Sequence, residues 1–301
     1  MSDRRERPRF LVSFHYYREV NLDKLVTDCG GDVDLFADSG AFSAASLGAE
    51  VTLDSYSAWL AKWKHLFTAY ANLDVIGNPA ATLANQVELE ARGFSPLPVF
   101  HYGSPWGYLE RYCQSHDYIA LGGLVGRTKR TTMPWLVRAF QIAKDSKKHP
   151  RFHGFGVTGH DTLTDLPWYS ADSSSWASGY RYGNLRLFDP KLGRFKSVRC
   201  RNRQEVFEYS DLLRSMGADP NALLRCDRNT IIQASVASII LAERYLGRRF
   251  ASAAKLYCVD AMLDHVRMGA AAVRLYLASA GGNNDRDLHT AASAVTKVAN
   301  S

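Results

Sequence analysis

Over the first two thirds of the chain, short apolar runs alternate with amphipathic stretches. The runs predict strands: FLVSFHYY at 10–17, VDLFAD at 33–38, LDVIG at 73–77, PLPVFHY at 96–102, DYIALGG at 117–123, RFHGFGV at 151–157, LPWYSAD at 166–172 and RYGNLRLF at 181–188. Between them, apolar positions recur at helical spacing. Residues 52–70 place Trp59, Trp63 and Leu66 on one face, and Pro79 opens a helix that runs to Arg92 and stops at Gly93. Residues 105–115 and 132–146 read as further helices, with a short helical piece near 160–166.

Strands of about five residues alternating with helices imply βαβ units and a parallel sheet. The count of strands favours a closed α/β barrel of the (β/α)8, TIM-like kind over an open doubly wound sheet. Residues 1–203 are the expected barrel core. Beyond them the pattern becomes helical, at 204–216, 220–247, 250–278 and 286–299, punctuated by GADP (217–220) and AGGNN (280–284). Residues 204–301 are therefore expected to form a helical C-terminal region packed on the barrel.

Composition narrows the functional classes. Hydrophobic residues make up 46% of the 301 and charged residues 22%, which excludes disorder as a general description. No apolar run reaches the ~20 residues of a membrane span. MSDRRERPRF has no apolar stretch behind its charges, so no secretory leader and no membrane partner are expected. The cysteines, at 29, 113, 200, 226 and 258, are odd in number and never at CxxC spacing. Neither a disulfide framework nor a zinc knuckle is indicated, and a reduced, cytoplasmic setting is expected. Neither GxGxxG nor GxxxxGK[ST] occurs. Lys and Arg number 37 against 30 Asp and Glu, a net +7 that suits a polyanionic partner without requiring one.

In a parallel barrel, chemistry gathers where strands end. Here the predicted strands end in Asp38-Ser39-Gly40, near Asp74 and Asn78, in His101-Tyr102-Gly103, in Gly122-Gly123-Leu124, at His153-Gly154 and in Asp172-Ser173-Ser174-Ser175-Trp176. Asp38 and Asp172 thus share a face. They are either a carboxylate pair for chemistry at a glycosidic carbon, about 5 Å apart in retaining enzymes, or two helix N-caps. Gly122-Gly123 is either a close backbone approach to a planar ligand or a tight turn. His101 and His153 are either base-binding groups or satisfied structural histidines, and Phe42 either stacks on a base or belongs to the core.

The segment 181–203 is more specific. It carries Arg181, Arg186, Lys191, Arg194, Lys196, Arg199, Arg201 and Arg203 against one acid, Asp189, with Tyr182, Phe188 and Phe195 interleaved. Cations with aromatics suit a phosphate backbone with unstacked bases; a solvated charged surface is the alternative. Since the segment follows Asp172, it is expected to flank the site. A second basic stretch, Arg127-Thr128-Lys129-Arg130, follows the glycine pair.

Taken in order, these motifs resemble the tRNA-guanine transglycosylase superfamily. Its DSGGF signature is similar to Asp38-Ser39-Gly40-Ala41-Phe42, its GGL to Gly122-Gly123-Leu124, its GxG strand to Gly154-Phe155-Gly156, and its nucleophile motif to Asp172-Ser-Ser-Ser-Trp176. The resemblance spans about residues 10–190. It implies a (β/α)8 barrel and base exchange through a covalent glycosyl-enzyme. Asp172 matches the nucleophile and Asp38 the acid/base. Asp74 matches the carboxylate that reads the purine N–H edge, and His101 stands where the family has a base-reading Gln. Gly123 and Leu124, with Gly122 and Gly154 beside the site, match the backbone around the base, which Phe42 and His153 match as its sandwich.

The family's CxCxxC…H zinc site has no counterpart, since VRCRNRQ offers only Cys200; no zinc or other cofactor is expected. The DSSSW motif and the short chain resemble the phage and bacterial branch that inserts 7-deazaguanines into DNA. That branch implies exchange of guanine in DNA for a 7-deazaguanine, with 7-cyano-7-deazaguanine the expected base, in a bacterial host cytoplasm if phage-encoded. Arg181, Arg186, Arg194, Lys196, Arg199 and Arg201 are the expected phosphate contacts, and accessory duplex-opening proteins are further candidate partners. The same exchange on tRNA, a non-catalytic nucleic-acid-binding partner and a barrel glycosidase are the alternatives.

Overall fold

The computed structural model describes residues 9–157, 162–250 and 255–260. In chain order its strands are β1 (Arg9–Ser13), β2 (Asp34–Asp38), β3 (Phe67–Tyr70), β4 (Val99–His101), β5 (Tyr118–Gly122), β6 (Arg151–Gly154), β7 (Ser170–Ser173), β8 (Asn184–Asp189), β9 (Arg194–Arg199) and β10 (Lys255–Asp260). Eight of them form one curled sheet in the order β3-β2-β1-β10-β7-β6-β5-β4, parallel at every pairing. This is a TIM-like α/β arrangement. Strands covered on both faces read as unbroken apolar runs, and the Phe10-Leu11-Val12 and Leu35-Phe36-Ala37 cores are accordingly buried. At the two ends of the strand order, Ala71 and Leu97 make a parallel bridge: Leu97 N–H donates to Tyr70 O at 2.8 Å and Asn72 N–H to Leu97 O at 2.9 Å. Leu11, Phe36, Ala71, Leu97, Val99, Ala120 and Tyr257, drawn from across the sheet, pack into one core cluster.

Local chemistry sets the intervening helices. Thr52 caps Leu53–Trp63 by accepting from Ser55 N–H, and that helix buries Tyr56, Trp59, Leu60 and Trp63. Asn78 accepts from Ala81 N–H, with Pro79 at the first helical position, and opens Pro79–Ala91. Trp106–Ser115 and Lys129–Asp145 follow β4 and β5.

Several expectations are corrected. The third strand is Phe67–Tyr70, and the helix before it ends at Trp63. Residues 73–77 form no strand because their backbone groups are taken by the next helix: Thr82 Oγ1 accepts from Val75 N–H and Asn85 Nδ2 donates to Leu73 O. The eighth sheet strand is not 181–188. Residues 181–182 end the short helix Ser178–Tyr182, and 184–188 enter β8, which pairs antiparallel with β9 around a turn where Asp189 accepts from Lys191 and Leu192 N–H. The eighth strand is β10, inside the stretch read as the helix 250–278. Its β-favouring Leu-Tyr-Cys-Val core is held by ladders to both β1 and β7, which outweigh the helical pattern around it. The rest of that helix, the helix at 286–299 and residues 160–161 lie outside the described residues. The helix read at 220–247 is two, Pro220–Leu224 and Arg228–Phe250. Cys226 breaks it with a left-handed φ of 57°, and Asp227 restarts it by capping Thr230 N–H.

The described residues fall into two compact units, one running to Ser173 and taking in 255–260, the other covering Ser174 to Phe250. The break follows β7, where the sequence suggested a boundary after 203. In the second unit the β8–β9 hairpin packs on Arg228–Phe250 through Phe188 and Tyr245, 5.3 Å between ring centroids, and Ser238 Oγ donates to Arg186 O at 3.2 Å. Among the described residues, no helix is long and apolar enough to cross a membrane.

Candidate active site

The first unit brings Asp38, Asp74, His101, His153 and Asp172 into one electrostatically connected group at the C-terminal side of its sheet. Asp38 closes β2, and its Oδ2 accepts from Gly40 N–H at 3.0 Å. Burial, then the negative charge of Asp74, then that of Asp172 push its carboxyl from 3.8 up to about 7, against the opposing pull of the Gly40 and Ser39 N–H groups. Tyr56, on the helix Leu53–Trp63, feels the charges of Asp38 and Asp74. Burial and the charges of Asp38 and Asp74 hold its phenol well above the ordinary range, and its hydroxyl donates to Ala71 O at 2.7 Å.

Asp74 sits in the loop after β3 with both oxygens engaged. Ser39 Oγ donates to Oδ1 at 3.1 Å, and His101 Nε2 lies 3.0 Å from Oδ2. The His101 ring lies against β5 only because residue 122 is glycine: a Cβ there would stand 2.6 Å from His101 Cδ2. Gly40 is equally constrained. It adopts φ of +71°, and a Cβ would fall 2.1 Å from Ser13 Oγ.

Asp172, on β7, is 6% exposed. Its Oδ1 receives Gly156 N–H at 3.1 Å and faces His153 Nε2 at 3.0 Å. Among the described residues no hydrogen bond engages Oδ2. His153, expected to sandwich a base, is instead wholly buried. Its ring stacks on Phe36, 4.4 Å between centroids and 27° between planes, and its Nδ1 meets Ser170 Oγ at 2.6 Å. The cause is its position one pleat inside β6, directly opposite Ser170. Ser170, His153 and Asp172 are thus in line as a Ser–His–Asp set. Ser170 is completely buried and its hydroxyl is bonded to Tyr118, so the accessible end of the line is Asp172 rather than the serine.

Other expected residues are dispersed in role. Phe42 is 65% exposed in the short helix Ala41–Ser46 after β2. Gly123, with φ of +75°, makes the turn over Tyr102, and Leu124 is buried. Gly154 is a packing glycine, since a Cβ would press on Val157 and Trp168. Arg181, Arg186, Arg194, Lys196, Arg199 and Arg201 all belong to the second unit. Arg199 is occupied by Glu205, donating Nε to Oε1 at 2.6 Å, and Arg201 Nε reaches Cys226 Sγ at 3.4 Å. Arg194 and Lys196 lie on β9.

Ser170, Tyr118 and the Gly156 N–H were not singled out from the sequence as site groups. The signal for Ser170 was present: two residues before Asp172 on a strand, it must share that residue's face. Among the described residues no three His, Cys, Asp or Glu side chains form a metal-holding group.

The arrangement presents one carboxyl poised to carry a proton near neutrality and one carboxyl contacted through a single oxygen, by the Gly156 N–H and by His153 Nε2. No family model, no curated protein and no solved structure matches the chain.

Proposed function

We propose that the protein is a guanine transglycosylase that exchanges guanine in DNA for a 7-deazaguanine, with 7-cyano-7-deazaguanine the expected incoming base. The observation that carries this reading is the division of labour between Asp38, with its carboxyl at about 7, and Asp172, held through Oδ1. Pairs of carboxyls driven apart by their environments are how glycosidic bonds are cut with retention. Asp172 Oδ2 attacks C1′. The C1′–N9 pair leaves with guanine, which takes a proton from Asp38. The incoming 7-deazaguanine gives its N9 proton to Asp38 and attacks C1′, and Asp172 departs as a carboxylate.

Asp74, His101 and the exposed Phe42 are the proposed base-binding groups. On this reading the sheet closes as a (β/α)8 barrel, a reading supported by the Ala71–Leu97 bridge between its end strands. Extruding a guanine from a duplex costs a few kcal/mol, which phosphate contacts must offset. Arg194 and Lys196 are the foremost candidates for such contacts, with Arg181 and Arg186 beside them in the sequence.

The test is base exchange with purified protein on duplex DNA, single-stranded DNA and unmodified tRNA, each supplied with 7-cyano-7-deazaguanine and digested for mass spectrometry. A deazapurine deoxynucleoside is expected, and Asp172→Ala should abolish both it and any covalent adduct. A modified ribonucleoside instead would transfer the same chemistry to tRNA. An adduct formed by the Asp172→Ala protein would refute the nucleophile.

A further inference from the structure

We propose that Tyr118, Ser170 and His153 form a buried donor chain that fixes Asp172 through Oδ1 and presents Oδ2 for attack, making all three positioning residues for the nucleophile. The proposal rests on the reading of Asp172 as the attacking carboxylate. It replaces the expectation that His153 touches the base.

The strand register builds the chain. Ala120 of β5 faces His153 of β6, which faces Ser170 of β7. Tyr118 lies two residues before Ala120, and Asp172 two after Ser170, so all four polar side chains project from one side of three neighbouring strands. The contacts then run Tyr118 hydroxyl to Ser170 Oγ, Ser170 Oγ to His153 Nδ1 at 2.6 Å, and His153 Nε2 to Asp172 Oδ1 at 3.0 Å.

Only one pattern of hydrogens uses every partner without charging the imidazole. A carboxylate only accepts, so His153 Nε2 carries the hydrogen and Nδ1 accepts from the Ser170 hydroxyl. Ser170 Oγ in turn accepts from Tyr118. Burial keeps the Tyr118 phenol far above its ordinary range, so it stays a donor. Ser170 and Tyr118 therefore select the His153 tautomer that can donate to Asp172, as second-layer partners do for other functional histidines.

The ring has no freedom to do otherwise. Phe36 covers one face, and the edges of Phe155 and Tyr257 stand 4.8 and 6.2 Å away, centroid to centroid. With no exposed surface, His153 cannot exchange Asp172 for water. Gly156 N–H anchors the same oxygen from the loop after β6. In the attack, the new bond forms from Oδ2 to C1′ while the C1′–N9 pair leaves with the purine and Asp38 supplies its proton. His153 keeps its own proton throughout.

The experiment is single-turnover formation of the covalent adduct, with DNA binding measured separately, on the wild type and on His153→Leu, His153→Gln and Ser170→Ala. Loss of one hydrogen bond to a charged group predicts a roughly 10- to 100-fold slower adduct step in His153→Leu. DNA and base affinity should stay within about threefold of wild type. His153→Gln, which keeps a donor, should recover most of the rate, and Ser170→Ala should fall between. Ser170→Ala removes a single oxygen and keeps the question answerable if His153→Leu does not fold. Wild-type adduct rates in both His153→Leu and Ser170→Ala would overturn the proposal, as would weaker base binding at an unchanged rate. An absence of adduct in the wild type itself would instead bring down the transglycosylase reading.

Discussion

Replacing Asp38 by Asn should make the protein more stable, and increasingly so as pH rises. The folded state holds the Asp38 proton more tightly than the unfolded chain does, because burial and the charges of Asp74 and Asp172 disfavour its ionised form. Between 3.8 and about 7 the native protein therefore binds more protons than the unfolded one, and native stability falls across that window. Above it the cost is fully present. At about 1.4 kcal/mol for each tenfold change, carrying a carboxyl from 3.8 to about 7 costs at most ~4 kcal/mol. Asp38 keeps some contact with solvent, so about 1–4 kcal/mol is the expected range.

Asn can still accept from Gly40 N–H while turning an amide toward the remaining carboxylates, so the variant sheds the charge and keeps the bond. Urea unfolding at pH 4.5, 6 and 8 measures the difference. Tryptophan fluorescence follows the correct unit, since Trp59, Trp63, Trp106, Trp135 and Trp168 all precede Ser173. The variant's advantage should be smallest at the lowest pH, about a quarter of its full size there, and greatest at the highest. An advantage constant to within about 0.5 kcal/mol, or one that shrinks as pH rises, would refute the electrostatic account of Asp38.

Asp74→Asn removes the stronger of the two charges acting on Asp38, so the descending limb of the kcat/KM–pH profile for base exchange should move down by roughly one pH unit; an unmoved limb would separate Asp74 from the acid. Gly122→Ala puts a methyl 2.6 Å from the His101 ring and should cost about 1–3 kcal/mol of stability while raising KM for the base; wild-type values for both would remove His101 from the site. Arg194→Ala and Lys196→Ala should each flatten the log–log salt dependence of duplex binding by about 0.9, and an unchanged slope would clear the hairpin of phosphate contacts. Exhaustive chelation should leave base exchange intact, and loss of activity restored by added zinc would require a metal site.

Much of the α/β alternation was legible because buried parallel strands announce themselves as unbroken apolar runs, as in Phe10-Leu11-Val12 and Tyr118-Ile119-Ala120. The misplaced strands share a different cause. Phe67–Tyr70 follows a helix after a turn of three residues and is partly buried at most of its positions, so its apolar residues extend the helical pattern. Lys255–Asp260 stands among residues of helical pattern, and pairing with two distant strands decides its state. Asp38 and Asp172 were visible as strand-end carboxyls. The role of His153 was not, since the sequence places a histidine on a strand without saying how deep in the sheet it lies or what stands opposite. Register supplies that: the partner is Ser170, and Asp172 stands one pleat beyond.

The same fact accounts for two aspartates of opposite character in one site. Asp38 is surrounded by other acids and by backbone that donates only locally, so its proton is retained. Asp172 is met by N–H groups from two directions on a single oxygen, from a histidine whose far side is already satisfied and from the Gly156 backbone. Exchanging the residues' identities would change nothing, since they are identical; exchanging their neighbours would exchange the roles proposed for them. An acid is made by withholding donors and adding like charge, and a nucleophile by supplying donors to the oxygen that does not attack. Asp74, in the loop after β3, supplies the stronger like charge, and β6 with the loop that follows it supplies the contacts to Asp172. The nucleophile proposed here is therefore held by the buried core of β6 and β7, where a one-residue slip of one strand against the other would turn His153 to the opposite face and remove its contact with Asp172.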